Sequence, residues 1–591
     1  MFSYVFMKIL ESRPDRYDRG INFLSGGQAE KIKKRIVKDH VKAGTRILDI
    51  GCGTGSLIVH AAKAGASAWG VDVSSGMLEA AGKKITKNRL QDKISIHKAG
   101  AVEIDTLFPE KSFDIIVSTL VFSELYSEER ASVLYQAKKL LKPDGKLLIA
   151  GEVQPAVLYK RVVHLLLRFP LAVLTYIISQ TGTKPLSHIS KEVARAGFTL
   201  SKEERSFLDS FIVLTADNSV SPGAGAPDLP AVKNPGDDFS IVKSIWDYIG
   251  RWFPNPVEPG LRTIGNPGRN SPVLLTSNFH LTVRRVEKAL ENEDAFLLVA
   301  PANGINVWCA STGGELNTHS AISVIKTSRI QERVDHNKII LPQFSAPGIE
   351  RELLQNTNGR RGIFGPAYAR DIPAYLKNTA SVFEKNRADF SLPFRLEMLL
   401  SMNFIIWLPL AVLTLCIRPD RLLPLSICFW LSGFILYSCY PLIPGKSGWL
   451  KAFIFSIAEV AAAALYSVIL LKMPAFTLWR LMVGFSLINL MLGFDLKGTA
   501  AGYPSEAERL MLKLGMKSFG HLFSAEKENE GLVQQDINRC NNCRTCLMVC
   551  PKGVFGIVDE KNIRIINQSE CLACGACVKQ CGENALKLGM S

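Results

Sequence analysis

Before Cys540 the chain is poor in cysteine: only Cys52, Cys309, Cys416, Cys428 and Cys439 precede it in a sequence of 591 residues. So sparse a set excludes the disulfide framework of a small secreted protein. Acidic residues are outnumbered too, 54 against 70 Lys and Arg, giving a formal charge of +16. No nucleic-acid motif and no basic stripe interleaved with aromatics accompanies that excess, so no nucleic-acid partner is expected. A cationic face beside anionic lipid is the plainer account. A cleavage-site pattern is missing after the short apolar start, Met1 to Leu10, and charges follow at Glu11, Arg13 and Asp15. No signal peptide is therefore expected. A mean hydropathy of +0.13 beside 21% charged residues indicates soluble domains combined with membrane spans.

What is present begins with Arg46-Ile47-Leu48-Asp49-Ile50, which reads as a buried parallel strand. Gly51-Cys52-Gly53-Thr54-Gly55 turns from it into a helix near Ser56. Glycines there let a ligand approach the backbone at the strand's carboxyl end. A second strand, Ser67 to Val73, carries Asp72, whose carboxylate suits a ribose. A glycine loop alone also fits NAD. With Phe113-Asp114-Ile115-Ile116-Val117-Ser118 and Leu140-Leu141-Lys142-Pro143-Asp144-Gly145, the stretch from about 20 to 217 resembles the class I S-adenosylmethionine (SAM) methyltransferases, and 1–217 is expected to form that domain. The resemblance implies a Rossmann-like fold binding SAM through Asp49, Gly51, Gly53, Gly55 and Asp72. Gly100 stands where many relatives carry an acidic residue that helps to recognise adenine. Tyr159 to Ser179 is apolar but broken by charges, and is expected to form a lid or an amphipathic surface helix.

Residues 218–240 are rich in Gly, Pro and Asp and read as a flexible linker. From 241 to 395 strand-like runs (Val273 to Thr276, Ala295 to Ala300, Lys338 to Leu341) alternate with helical ones (Val283 to Asn292, His319 to Ile330), which argues an α/β sheet. Within it stands Asn306-Val307-Trp308-Cys309-Ala310, with a helix expected to start near Asn317 or Thr318. A thiol near a helix N-terminus tends towards a lowered pKa, and thiolate is a soft metal ligand. This motif, with Ser271-Pro272-Val273-Leu274-Leu275-Thr276-Ser277-Asn278 upstream and Leu341-Pro342-Gln343-Phe344-Ser345-Ala346-Pro347-Gly348 downstream, resembles the corrinoid protein of microbial mercury methylation. The resemblance implies a cobalamin-type corrinoid bound at Asn306, Val307, Trp308, Cys309 and Ala310, with Cys309 as cobalt ligand and catalytic residue. The family's lysine after the Cys-Ala pair is replaced by Gly313, and Glu315 is new.

Four apolar runs follow in 396–496, at about 398–417, 421–443, 449–471 and 474–494. Each is long enough to cross a bilayer. Basic residues flank all of them, so charge gives a poor orientation signal. The flanking domains both need cytoplasmic cofactors, which requires an even number of spans; four are expected, in a multi-pass protein of the cytoplasmic membrane. A connector occupies 497–535. Residues 536–591 carry Cys540, Cys543, Cys546 and Cys550, then Cys571, Cys574, Cys577 and Cys581. That double spacing is a strong signal for a bacterial ferredoxin with two [4Fe–4S] clusters, the fourth cysteine of each run serving the other cluster. One set is then Cys540, Cys543, Cys546 and Cys581, and the other Cys571, Cys574, Cys577 and Cys550. The corrinoid protein's usual partner is such a ferredoxin, ending in a cysteine pair that this chain lacks.

The parts imply a membrane-bound, corrinoid- and SAM-dependent methyltransferase of the mercury-methylation type. Its partners would be membrane lipid, a low-potential electron donor and a small methyl acceptor, a soft metal or metalloid. A second reading makes it a SAM methyltransferase of an organic or metalloid substrate, with the other domains as redox partner. A third makes it a membrane electron-transfer scaffold, against which the intact glycine loop and Asp72 argue.

Overall fold

The computed structural model describes the chain apart from residues 1–16, 21, 23–26, 167–168, 170–184, 207, 219–231, 238–239, 252, 378–386, 446, 467–474, 495, 499, 501–505, 507–531 and 590–591. Most of the expected linker, connector and Tyr159–Ser179 segment lies outside the described residues. Of that segment, 158–166 is helical and leaves Leu158, Leu165 and Leu166 exposed.

The first sheet is built from β1 (Arg46–Ile50), β2 (Ser67–Asp72), β3 (Ile94–Lys98), β4 (Phe113–Thr119), β5 (Leu141–Glu152), β6 (Thr199–Ser206) and β7 (Phe211–Asp217). Their spatial order is β3-β2-β1-β4-β5-β7-β6, with β7 antiparallel to both neighbours. β1 lies in the interior of the sheet between β2 and β4, with Ile47, Leu48 and Ile50 excluded from solvent. Its apolar run is continuous because helices cover both faces. These include α1 (Gln28–His40), α2 (Ser56–Lys63), α3 (Ser75–Lys87) and α4 (Ser127–Leu140). The chain order reverses between β1 and β4, which opens a crevice at their carboxyl ends.

α5 (Ile241–Ile249) leads into a second sheet: β8 (Gly260–Ile264), β9 (Val273–Ser277), β10 (Ala295–Ala300), β11 (Lys338–Leu341) and β12 (Arg361–Phe364). The order is β12-β11-β9-β10-β8, parallel except for β8. The three expected strands are present, and β8 and β12 are additional. Two helices follow β10, α6 (Val307–Gly313) and α7 (Thr318–Ser328). Both are capped by asparagine: Asn306 accepts from the Cys309 N–H at 3.0 Å, and Asn317 from the Ser320 N–H at 2.9 Å.

Helices occupy the four apolar runs: α8 (Leu392–Ile417), α9 (Leu422–Cys439), α10 (Gly448–Tyr466) and α11 (Ala475–Phe494). Among the described residues two stretches are long and apolar enough to cross a membrane, Leu392–Ile417 and Pro419–Cys439. The expected four spans are thus matched by four helices, of which two meet that criterion. Arg395 near the start of α8 is tied down by donating to the Tyr437 carbonyl at 2.7 Å.

The last domain is a pair of short hairpin-like sheets, β13 (Leu532–Gln535) with β16 (Leu586–Gly589) and β14 (Phe555–Val558) with β15 (Asn562–Ile565). Between them lie α12 (Thr545–Val549) and α13 (Ala576–Lys579). The two cysteine runs have the same backbone course. Asn542 and Ala573, and then Arg544 and Gly575, take left-handed conformations at matching places.

Candidate functional site

The carboxyl edge of the second sheet gathers three loops. Asn278 follows β9, Pro301 to Asn306 follows β10, and Pro342 to Pro347 follows β11. Asn278 organises the edge: its Oδ1 accepts from the Ala302 and Gly304 N–H groups, both at 2.9 Å. Gly304 has φ +71°, and a Cβ there would fall 2.6 Å from the Pro256 nitrogen, so only glycine fits. The turn delivers Asn306, which caps α6 and sets Cys309 in its first turn. Val307 and Ala310 are buried beneath, Trp308 is half-buried, and the Cys309 side chain is exposed. Trp308 meets Phe344 edge to face at 5.5 Å, and Phe344 meets Tyr368 at 6.0 Å.

The helix expected near Asn317 or Thr318 is α7, which Asn317 caps; α6, beginning at Val307, is an additional helix and carries Cys309 in its first turn. The expected lowering of the thiol pKa is not found. Although the residue is exposed on one side, neighbouring protein atoms desolvate the thiol and raise its pKa above the usual value, and the bond with Asn306 opposes this only in part. The residues fit a corrinoid: a reachable soft donor stands on a rigid edge, and two residues on, the buried Ser311 hydroxyl has no protein partner. Gly313 and Gly314 add no side-chain bulk beside it.

In the first domain, Gly51 has φ +73°, and a Cβ on it would lie 1.9 Å from Val121 Cγ2 in the loop after β4. Asp72 shapes the glycine loop by accepting from the Gly53 N–H at 2.9 Å and the Ser74 N–H at 2.9 Å. Asp49 is buried with Oδ1 unpartnered, and burial pushes its carboxyl up to about 7. An orphaned acidic oxygen beneath a glycine loop fits a cationic ligand such as SAM. The sequence reading missed Asp18 and Lys84. Thr54 and Ser56 donate to Asp18 at 2.6 and 3.1 Å, and Lys84 bridges all three. Burial opposes ionisation of Asp18, but its bonds to Lys84 and Thr54 outweigh this and hold its pKa low. Cys52 is buried against Gly70, as a structural residue would be.

The two sheets are joined by polar contacts invisible in the sequence. Asn278 donates to the Tyr126 hydroxyl at 2.9 Å. Ser323 donates to Glu129 at 2.5 Å, His319 pairs with Glu103 at 2.7 Å, and Lys326 pairs with Asp105. Glu103 also accepts from the Gly100 N–H at 2.9 Å. The Glu103 carboxylate is thus shared between the Gly100 backbone and α7.

On the opposite flank the cysteine domain packs on the loop after β11. Gln343 donates to the Met548 carbonyl at 2.7 Å, and Gln580 to the Ala346 and Ile349 carbonyls at 2.9 and 2.7 Å. Cys540, Cys543, Cys546 and Cys581 line one depression, the cross-paired set read from the spacing. Cys574 and Cys577 pack instead against the core that holds Val549, Ala576 and Phe344. Among the described residues no His, Cys, Asp or Glu groups converge as around a single ion. The four thiolates of a cubane bind four different irons, so a ring of spaced thiols is the donor set it requires.

Comparison with known proteins finds family matches for three parts of the chain. Residues 47–145 match the family described as Methyltransferase domain, 248–376 the CO dehydrogenase/acetyl-CoA synthase delta subunit, and 539–586 the 4Fe-4S dicluster domain. The chain joins a methyltransferase domain, a corrinoid-protein-like domain and an iron–sulfur domain. Over 130 residues it is 38% identical to the acetyl-CoA decarbonylase/synthase complex subunit gamma of Methanothermobacter thermautotrophicus, covering 22% of this chain and 28% of that protein. Over 137 residues it is 32% identical to the corrinoid/iron-sulfur protein large subunit of Moorella thermoacetica, covering 23% and 30%. The demethylmenaquinone methyltransferase of Lactobacillus johnsonii is 34% identical over 143 residues, covering 24% and 57%. The matches span well under two thirds of each relative.

Proposed function

We propose that the chain is a membrane-anchored, corrinoid-dependent methyltransferase that moves a methyl group through Cys309-ligated cobalt to a soft metal or metalloid. The observation that carries this is the position of Cys309. It is exposed on an edge that the methyltransferase domain reaches through Tyr126 and the iron–sulfur domain through Met548. Bound SAM supplies an activated methyl group, a corrinoid a cobalt centre that can carry it, and two [4Fe–4S] clusters low-potential electrons. The chain's residues bind and orient these groups. Asp49, Gly51, Gly53, Gly55 and Asp72 would hold SAM, Asn306 to Ala310 the corrinoid, and the eight cysteines from Cys540 to Cys581 the clusters. Cys309 would hold the corrinoid's cobalt through its thiolate, a soft, electron-rich donor that would favour methyl transfer to a soft acceptor. Four spans, α8 to α11, would anchor the chain in the cytoplasmic membrane with every cofactor domain on one side. Mercury is one acceptor of this class, and arsenic and selenium species, which the changed Gly313–Glu315 stretch admits, are others.

The test is anaerobic incubation of the purified chain with SAM labelled in its methyl group. Label recovered on the corrinoid and then on added metal or metalloid supports the proposal. Label passing directly to an organic acceptor, with none on the corrinoid, refutes it in favour of a simple SAM methyltransferase.

A further inference from the structure

The two cysteine sets stand in unlike surroundings. The set of Cys540, Cys543, Cys546 and Cys581 lines a depression open to solvent, with Cys543 itself exposed. Asn541 and Arg544 on its rim are exposed as well. In the other set Cys571 is buried in the cysteine domain's own core, and the half-buried Cys574 and Cys577 pack on the core of the corrinoid-protein-like domain. That core is shared: Val549 of α12 and Ala576 of α13 are each 1% exposed within it, and Phe344 and Trp308 belong to it too. Trp308 is adjacent in sequence to Cys309, and its ring meets Phe344 at 5.5 Å.

The docking is built rather than incidental. Besides the Gln343 and Gln580 bonds, Arg351 donates through its side chain to Thr545 at 3.3 Å and through its N–H to Gln580 at 3.2 Å. The Ala388 N–H donates to the Pro551 carbonyl at 2.8 Å. Buried, geometrically complete bonds of this kind fix the orientation of one domain on another. The orientation they fix sets Cys574 and Cys577 against the core that holds Phe344 and Trp308, while Cys543 in the other set stays exposed.

We infer that electrons enter this chain at the Cys540–Cys543–Cys546–Cys581 site and leave through the Cys550–Cys571–Cys574–Cys577 site, by way of Phe344 and Trp308, to the metal held at Cys309. This deepens the proposed function and rests on its assignment of two clusters and a corrinoid. The partner at the entry site is a one-electron donor of low potential, of the reduced ferredoxin class. One electron would pass at a time, the donor being oxidised by one unit and the metal held at Cys309 reduced by one unit. Transfer through packed protein falls steeply with distance, so the order follows from which site touches the corrinoid-bearing domain.

Two measurements on the full chain, reconstituted anaerobically with iron, sulfide and cobalamin, test the order. Iron content and the visible spectrum first establish that clusters and corrinoid are loaded, which separates failure of the cofactor assignment from failure of the order. The Co(II) electron paramagnetic resonance signal is then recorded with the clusters reduced. A reduced cluster nearby speeds its relaxation, and the effect falls steeply with separation. Cys574→Ser should remove most of the enhancement, whereas Cys543→Ser should leave it. The reverse pattern, or equal loss in both, overturns the assignment. The second measurement uses no variant. The loaded chain is oxidised in limited steps with ferricyanide, alkylated and mapped by mass spectrometry. Cys540, Cys543, Cys546 and Cys581 should become labelled several-fold faster than Cys550, Cys571, Cys574 and Cys577. Labelling at equal rates, or in the opposite order, also overturns it.

Discussion

Asn278 donates a hydrogen bond to the Tyr126 hydroxyl, at 2.9 Å, across the boundary between the methyltransferase domain and the corrinoid-protein-like domain. The same side chain holds the Ala302 and Gly304 N–H groups and donates to the Val257 carbonyl at 3.0 Å. Tyr126 precedes α4 and follows the loop that closes on Gly51. One amide group therefore sits between the glycine loop and the turn that sets Cys309. Burial also pushes the Tyr126 hydroxyl up to about 12, so it remains a neutral partner at physiological pH.

The first prediction concerns that amide. Asn278→Ala removes the acceptor for two buried N–H groups, each bond worth about 1 kcal/mol. Hydrogen exchange at Ala302 and Gly304 should then quicken by roughly fivefold or more. Tyr126→Phe removes only the hydroxyl and should leave those two amides protected. Equal acceleration in both variants would mean that the domain contact, not Asn278, orders the turn.

A second prediction follows from Asp49. Its carboxyl, raised to about 7 by burial, is mostly protonated in mildly acid solution in the free protein. The sign is that of a raised acid: the stability it contributes is complete below the ordinary carboxyl pKa, near 4, and is lost as pH rises through about 7. A cationic ligand reverses the penalty by pairing with the ionised form. SAM affinity should therefore rise roughly tenfold between pH 5.5 and 7.5. Asp49→Asn should flatten the profile. Isothermal titration at several pH values reads both, and a flat profile for the unmodified chain would exclude Asp49 as the titrating group.

Much of this was legible in the sequence because single elements announce themselves. The run Arg46 to Ile50 is mostly apolar and followed by glycine, and it forms an interior strand of the sheet. The repeat of Cys-x-x-Cys-x-x-Cys-x-x-x-Cys announced a domain whose two halves share a backbone course. What escaped are pairings between distant residues. Glu103 and His319 are 216 positions apart, and neither lies in a motif. Asp18 and Lys84 are ordinary charges until folding sets them on either side of Thr54. The start of α6 escaped because Asn306 looked like part of a cofactor signature, whereas it is also that helix's cap. β8 escaped because Gly260 to Ile264 is short and contains Arg262, which is buried and paired with Glu287 at 2.8 Å.

A third prediction tests the ligand set that includes Cys571. With both clusters assembled the chain should bind about eight irons, four for each cubane. Cys571→Ala removes a ligand that is buried in the small core with Val554, Phe555 and Ile563. Iron should fall to about half or less, since that shared core also supports Cys546 and Cys581. Colorimetric iron and sulfide analysis of the purified variant decides it, and an undiminished iron content would remove Cys571 from the set.

The last prediction concerns Cys309. Its thiol is exposed on a capped helix with Val307 and Ala310 buried beneath, so truncation should spare the fold. Cys309→Ala should cost little stability, within about 0.5 kcal/mol, as for a surface position away from buried features. It should nonetheless change the visible spectrum of bound corrinoid, because a soft, electron-rich donor is lost from the metal. Cys309→His restores a strong ligand of another kind and should give the spectrum of nitrogen-ligated cobalt. Methyl transfer to a soft acceptor should not recover with it, since imidazole gives up less electron density than thiolate. The stability and spectral readouts separate the alternatives. A large loss of stability in Cys309→Ala would make the side chain a packing residue. Normal stability with an unchanged corrinoid spectrum would make it a bystander on the edge, and the metal's ligand would have to be sought elsewhere.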